Sequence, residues 1–228
     1  MLGIIGAMDV EVNTLKSRVS DKKIKTFANI DFVIGFLKGK EVCIAQCSPG
    51  KVNAALCTQL MIDKFDVEKI INIGVGCSLD KSVVIRDIVV GNKLCQYDID
   101  ITALGEERGL INGINKVMIE SDSDLSSELE TAAKDCGYNV HIGAIASGDT
   151  FIGSSELKKS INKEFSALCG EMEGGAIAQV CYINNVPFAV LRTISDGGDE
   201  NVQMNYPEFK EIAAKQSCEI MLGFLGNK

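Results

Sequence analysis

The chain of 228 residues has no tryptophan, one histidine and three prolines. No apolar run reaches the roughly 18 residues of a membrane-spanning helix, so no membrane partner is expected. Basic residues are also scarce: 23 Lys+Arg face 31 Asp+Glu, for a net charge of −8. That balance disfavours binding through nucleic-acid phosphates, which draw on a basic face, and disfavours an anionic lipid surface. The opening MLGIIGAMDVEV has no basic segment before its apolar stretch, and Asp9 and Glu11 interrupt it too early for a secretory signal. The nine cysteines form no CxxC pair, and a lone histidine does not complete a zinc site. Reduced, buried thiols in a cytoplasmic protein are the expectation. No repeat, low-complexity tract or proline-rich linker divides the chain, so residues 1–228 are expected to form one domain.

Short apolar runs alternate with helical spacing. Strands are predicted at Leu2–Ile5, Val42–Gln46, Glu68–Ile73, Ile85–Val90, Val140–Ala146 and Phe188–Ile194. The run at Glu68–Ile73 is expected to end in the glycines of GVG. Helices are predicted over Met8–Val19, over the stretch after Pro49-Gly50, from a cap at Ser123 or Ser127 through Ala133, over Glu173–Asn184 and over Glu208–Leu225. Buried strands alternating with helices indicate an α/β fold, a three-layer sandwich with a central mixed β-sheet flanked by helices. Ligands of such sheets bind at the carboxyl ends of strands.

Three acidic residues stand near those ends: Glu11 after GIIGAMDV, Glu173 in GEMEGGAIA and Asp196 in RTISDGGD. Each alone also has a structural reading. Glu11 suits the first turn of a helix, GEMEGGAIA suits a closely packed helix entry, and Asp196 before two glycines suits a turn or an N-cap. The opening GxxGA matches a dinucleotide fingerprint only in part, lacking its third glycine.

Taken together and in order, GAMDVEV, PGKVNAA, SGDTFI, GEMEGGAIAQVC and NVPFAVLRTISD followed by YPEF resemble the 5′-methylthioadenosine/S-adenosylhomocysteine nucleosidases of the nucleoside phosphorylase superfamily. The resemblance spans essentially the whole chain. It implies a nucleoside phosphorylase-like fold and hydrolysis of an N-glycosidic bond without metal or cofactor. Asp196 would protonate N7 of adenine, and Glu11 would orient the attacking water. Glu173 would accept hydrogen bonds from the ribose hydroxyls, with Met172 packing on the sugar. Phe151 would stack on the purine, while the backbone of Ile152 would read its edge. Gly76 would lie near the bound nucleoside, and Tyr206 would line the pocket for the 5′-substituent. Ser195 and Arg192 would support the Asp196 and Glu11 regions respectively. Ile101 and Leu104 correspond to residues that line the neighbouring subunit's pocket, so a homodimer is implied.

One segment departs from the pattern: Gly74-Val75-Gly76-Cys77-Ser78 stands where the family commonly has a GSAGG-type turn. The nearest alternative activity is that of a phosphate-dependent purine nucleoside phosphorylase, which needs cations and hydroxyls for its phosphate. Asn72-Ile73-Gly74-Val75-Gly76-Cys77 has neither the Arg nor the Ser of that motif, and Glu11 would repel a dianion. A non-catalytic nucleoside-binding protein is the other alternative, but all three acids are present.

Overall fold

Leu2–Gly6 is apolar enough to be buried along its entire length, and it forms the first strand, β1. The computed structural model describes residues 1–226, which make one mixed sheet of ten strands and six α-helices. Three of the strands form one arm with β1: β2 (Ser20–Phe27), β3 (Ile30–Leu37) and β4 (Lys40–Gln46), in the order β1-β4-β3-β2. The remainder centres on β5 (Lys69–Ser78), with β6 (Ile88–Gln96), β7 (Ile119–Glu120), β8 (Val140–Ser147), β9 (Ala167–Glu171) and β10 (Phe188–Asp196).

The long strand β5 is the hub. Its first half pairs in parallel with β1, Leu2 to Ile5 lying beside Lys69 to Asn72. On that edge β1 stops at Gly6, and β9 takes over only at Cys77 and Ser78. On its other edge β5 pairs in parallel with β10. Because β10 also pairs with β6, β6 with β8, and β8 with β9, the five strands β5, β10, β6, β8 and β9 close into a barrel.

Helices cover both faces. On one lie α2 (Lys51–Phe65) and α5 (Gly174–Asn184), packed together over a core that includes Ile5, Met61, Ile70, Ile177 and Val190. On the other lie α1 (Asp9–Ser17), α3 (Ser123–Asp135) and α6 (Val202–Gly226), over Ile4, Val12, Ile71, Leu129 and Met221. The alternation of faces along β1 and β5, Ile4 and Ile71 one way, Ile5 and Ile70 the other, explains why these strands are apolar throughout. The remaining helix, α4 (Ser155–Phe165), starts at Ser154, whose hydroxyl accepts from the Leu157 N–H at 3.1 Å. Among the described residues no helix is long and apolar enough to cross a membrane.

The predicted sandwich is present, with several local differences. Strand β5 runs through the glycines of GVG instead of ending at them. Those glycines answer close approach and not a turn: a Cβ on Gly74 would lie 2.7 Å from a Glu11 carboxylate oxygen, and one on Gly76 would lie 2.5 Å from Cys169 Sγ. Helix α3 is capped by Asp122, which accepts from the Leu125 N–H at 2.9 Å, and not by Ser123 or Ser127. Helix α6 starts at Val202, ahead of the predicted Glu208, and carries Pro207 inside it. Strands β2, β3, β7 and β9 and helix α4 are additional to the predicted elements.

Candidate active site

The split in β5's pairing creates the site. Val75 falls in the gap between the end of β1 and the start of β9, where its N–H has no strand to meet. The side chain of Glu11 fills that gap. Its Oε1 accepts from Val75 N at 3.0 Å, while Oε2 accepts from Ala7 N at 2.7 Å and Met8 N at 2.8 Å. Helix α1 begins just after β1, so Glu11 in its first turn faces back onto the strand ends. The residue is 2% exposed. Burial raises its pKa above the ordinary carboxylate value, opposed by the Met8 N–H, the charge of Arg192 and the N–H groups of Val75 and Ala7.

A second carboxylate group stands at the junction of β9 and α5. Glu171, at the end of β9, accepts from Glu173 N at 3.0 Å and Gly174 N at 2.7 Å, satisfying N–H groups that the start of α5 leaves free. It also accepts from the Ser147 hydroxyl and from Arg192 Nη2, and Arg192 donates in turn to Asn72 Oδ1 at 2.5 Å. Glu173, at the N-cap of α5, accepts from Gly50 N at 3.0 Å and lies 3.7 Å from Arg192 Nη2. Burial, then the negative charge of Glu171, pushes Glu173 up to about 8, opposed by Arg192 and the Gly50 N–H. Burial works against the charge of Arg192, but the carboxylates of Glu171, Glu173 and Glu11 outweigh it and hold its pKa above the usual value.

Asp196 ends β10. One carboxylate oxygen accepts from Gly198 N and the other from Ser195 Oγ, both at 2.9 Å. Gly198 has φ +61°, a left-handed conformation that a side chain would strain. Burial raises the pKa of Asp196, against the Gly198 and Ser195 donors, so this carboxyl retains its proton more readily than an exposed Asp.

Glu11, Glu171, Glu173 and Asp196 all line one cleft, whose volume is about 170 Å³. Gly76, Cys77, Ile152, Met172 and Ser195 contribute to its walls. At its mouth Phe151, half exposed, meets Tyr206 edge-to-face with ring centroids 5.1 Å apart. Tyr206 also donates its hydroxyl to Met8 Sδ at 3.3 Å. Among the described residues, none that lines the cleft is Lys or Arg.

The comparisons with known proteins bear on this geometry. The sequence pattern of the phosphorylase superfamily matches residues 1–226. A 5′-methylthioadenosine/S-adenosylhomocysteine nucleosidase of Staphylococcus haemolyticus is 40% identical over 222 residues, covering 97% of each chain. The chain belongs to this nucleosidase family, within the phosphorylase superfamily. In three dimensions it is similar to the Neisseria meningitidis nucleosidase solved with methylthio-immucillin-A, at TM-score 0.95 and 33% identity, covering 100% of this chain and 99% of that one. It is also similar to the futalosine hydrolase of Helicobacter pylori, at TM-score 0.94 and 34% identity, covering 100% of this chain and 97% of that one.

Within this nucleosidase fold the residues singled out from sequence divide into three groups. Glu11, Gly76, Phe151, Ile152, Met172, Glu173, Ser195, Asp196 and Tyr206 share the cleft. Arg192 lies beneath it. Arg192 hydrogen-bonds Glu171 and Asn72, and its charge alone reaches Glu11. Ile101 and Leu104 do not line the cleft of their own chain; Leu104 lies in a 3₁₀ turn (Thr102–Leu104) with 78% of its surface exposed. The residue that sequence reasoning missed is Glu171. The pair of glutamates in GEMEGG was the available signal, but only the strand-to-helix junction shows that they face different partners.

Proposed function

We propose that the protein hydrolyses the N-glycosidic bond of 5′-methylthioadenosine and S-adenosylhomocysteine, releasing adenine and the corresponding 5-thioribose compound. The observation that carries this reading is the pairing, in one cleft without Lys or Arg, of a buried Asp196 with a Glu11 held by three backbone N–H groups. Cleavage passes through a ribosyl cation, and adenine is a poor leaving group as an anion. Asp196 gives its proton to N7, so that adenine departs neutral. Glu11 orients a water molecule and takes its proton as oxygen bonds to the anomeric carbon. Glu173 accepts from the ribose hydroxyls with Met172 against the sugar, while Phe151 stacks on the base and the Ile152 backbone reads its edge. Ser195 holds Asp196, Gly76 leaves room beside the nucleoside, and Tyr206 faces the 5′-substituent. Arg192 supports the carboxylates from below.

The protein acts as a cytoplasmic homodimer in which Ile101 and Leu104 of one subunit complete the pocket of the other. The exposure of Leu104 outside its own cleft supports this arrangement. The chain works as a single nucleosidase domain, and its substrates give it a role in methionine salvage.

The test is release of the free base, adenine from methylthioadenosine and S-adenosylhomocysteine and hypoxanthine from inosine, each with and without phosphate. Phosphate-independent release from the first two is the expected result. Release that requires phosphate would make the protein a phosphorylase, and no release from any of them would point to aminodeoxyfutalosine as substrate or to a binding protein.

A further inference from the structure

Outside the groups assigned to chemistry, three residues from distant parts of the chain form a closed ring beside the cleft. Lys51 opens α2, Asp98 follows β6, and Asp149 lies in the loop after β8. The Lys51 ammonium donates to Asp98 Oδ1 at 2.6 Å. The other Asp98 oxygen accepts from Asp149 N at 2.9 Å. Asp149 Oδ1 in turn accepts from Lys51 N at 2.8 Å. Each residue is therefore bonded to the other two. The ion pair is largely shielded, with side-chain exposures of 17% for Lys51 and 25% for Asp98.

What adjoins this ring matters more than the ring itself. Gly50, next to Lys51, donates the N–H that Glu173 accepts. Its φ of +102° and the 3.2 Å that a Cβ would leave to Asp149 Oδ1 fix the backbone there. Asp149 is followed by Thr150, Phe151 and Ile152, all in the cleft wall. Tyr97, next to Asp98, donates its hydroxyl to Thr150 O at 3.2 Å. Asp149 also satisfies a free N–H at the start of α2, where a carboxylate is favoured by the helix dipole.

We propose that Lys51, Asp98 and Asp149 form a positioning latch that fixes the base-stacking loop of Phe151 relative to the Gly50 N–H that orients Glu173. Binding of the purine and of the ribose hydroxyls is thereby coupled through side chains that touch neither. The inference rests on the nucleosidase reading for its kinetic consequence, but the latch itself is testable without substrate.

Lys51→Met keeps the aliphatic stem and the backbone N–H while removing the ammonium; Asp98→Asn keeps the shape and removes the charge. In either variant amide exchange at residues 148–152 of the ligand-free protein is expected to quicken while β10 stays protected. Unchanged local exchange in a folded variant would overturn the latch, and Asp98→Asn stands in if Lys51→Met does not fold. With methylthioadenosine, KM is expected to rise about tenfold, as for loss of one charge-assisted hydrogen bond, with kcat changing less and Lys51→Arg recovering part of the loss. In a Phe151→Ala background the same substitution should raise KM by less, because its effect runs through that ring. Equal effects in both backgrounds would overturn the coupling. Absence of any adenine release by the unmodified protein would instead refute the nucleosidase reading, and the exchange experiment would still decide the latch.

Discussion

Val75 donates its backbone N–H to Glu11 at 3.0 Å, at the point where β5 has lost β1 and has not yet gained β9. A carboxylate thus stands in for a missing strand, and the sheet's own irregularity positions the group proposed to orient water. The arrangement requires Gly74, whose Cβ would lie 2.7 Å from Glu11 Oε1. Gly74→Ala collides with the movable end of a side chain, so the fold accommodates it by displacing the carboxylate. Turnover should fall by about a hundredfold, the cost of misplacing a catalytic group by about 1 Å, and the melting temperature should fall as well, because the displaced carboxylate leaves buried N–H groups unpaired. Full activity in steady-state adenine release would show that Glu11 does not need this position.

Asp196 and Glu11 should give opposite limbs to the pH profile. In the proposed reaction Asp196 works protonated, so activity is lost as pH rises through its elevated pKa. Glu11 works ionised, so activity is lost as pH falls through its own, also elevated by burial. Asp196→Asn should lower kcat by about 10² to 10⁴, the usual contribution of a general acid, while calorimetry finds adenine affinity nearly unchanged. Glu11→Gln should abolish turnover at every pH. A normal rate in Asp196→Asn would remove that residue from the chemistry.

The layered fold was legible in its apolar strands, and Glu11 and Asp196 lie just after or at the end of two of them, whereas Glu173 was singled out at a helix entry because β9 before it was not predicted. The hairpin of β2 and β3 was not legible. Every residue of β2 from Ser20 to Thr26 is exposed, as suits a lysine-bearing edge strand, so it lacks the apolar alternation that marks a half-buried one. Its turn at Ala28-Asn29 takes positive φ at both residues without a glycine. The GVG segment misled for the opposite reason: its glycines make room for the Glu11 carboxylate and Cys169 in mid-strand. The resemblance places Arg192 in support of the Glu11 region, and packing adds that Glu171 holds it.

Glu173 couples stability to pH. Its carboxyl keeps its proton up to about 8 in the folded protein against an ordinary 4.5. Between those values the folded state binds more protons than the unfolded one, so stability falls as pH rises through the window. Glu11 and Asp196 act in the same direction. Calorimetric melting of the ligand-free protein should therefore show a melting temperature that declines from about pH 4.5 towards about pH 8, with a shallower decline in Glu173→Gln. Parallel declines in the two proteins would mean that Glu173 ionises as readily folded as unfolded.

Arg192 and Glu171, each with a side chain only 1% exposed, form the most deeply buried ion pair in the described structure. Such a pair contributes little net stability, because removing both charges from water opposes their attraction. The Arg192 Nε, buried without a hydrogen-bond partner, adds to that cost. Breaking the pair is a different matter. Arg192→Met leaves Glu171 uncompensated among the strand ends and deprives Asn72 of its donor, which should cost about 3–5 kcal/mol. Adding Glu171→Gln removes the stranded charge and should recover a large part of that loss, although the amide cannot reproduce every bond that Glu171 accepts. Urea unfolding of the two single variants and the double variant measures the coupling directly. Additive losses would mean that each residue stabilises the protein through other contacts, and that the site's carboxylates do not depend on Arg192 for their burial.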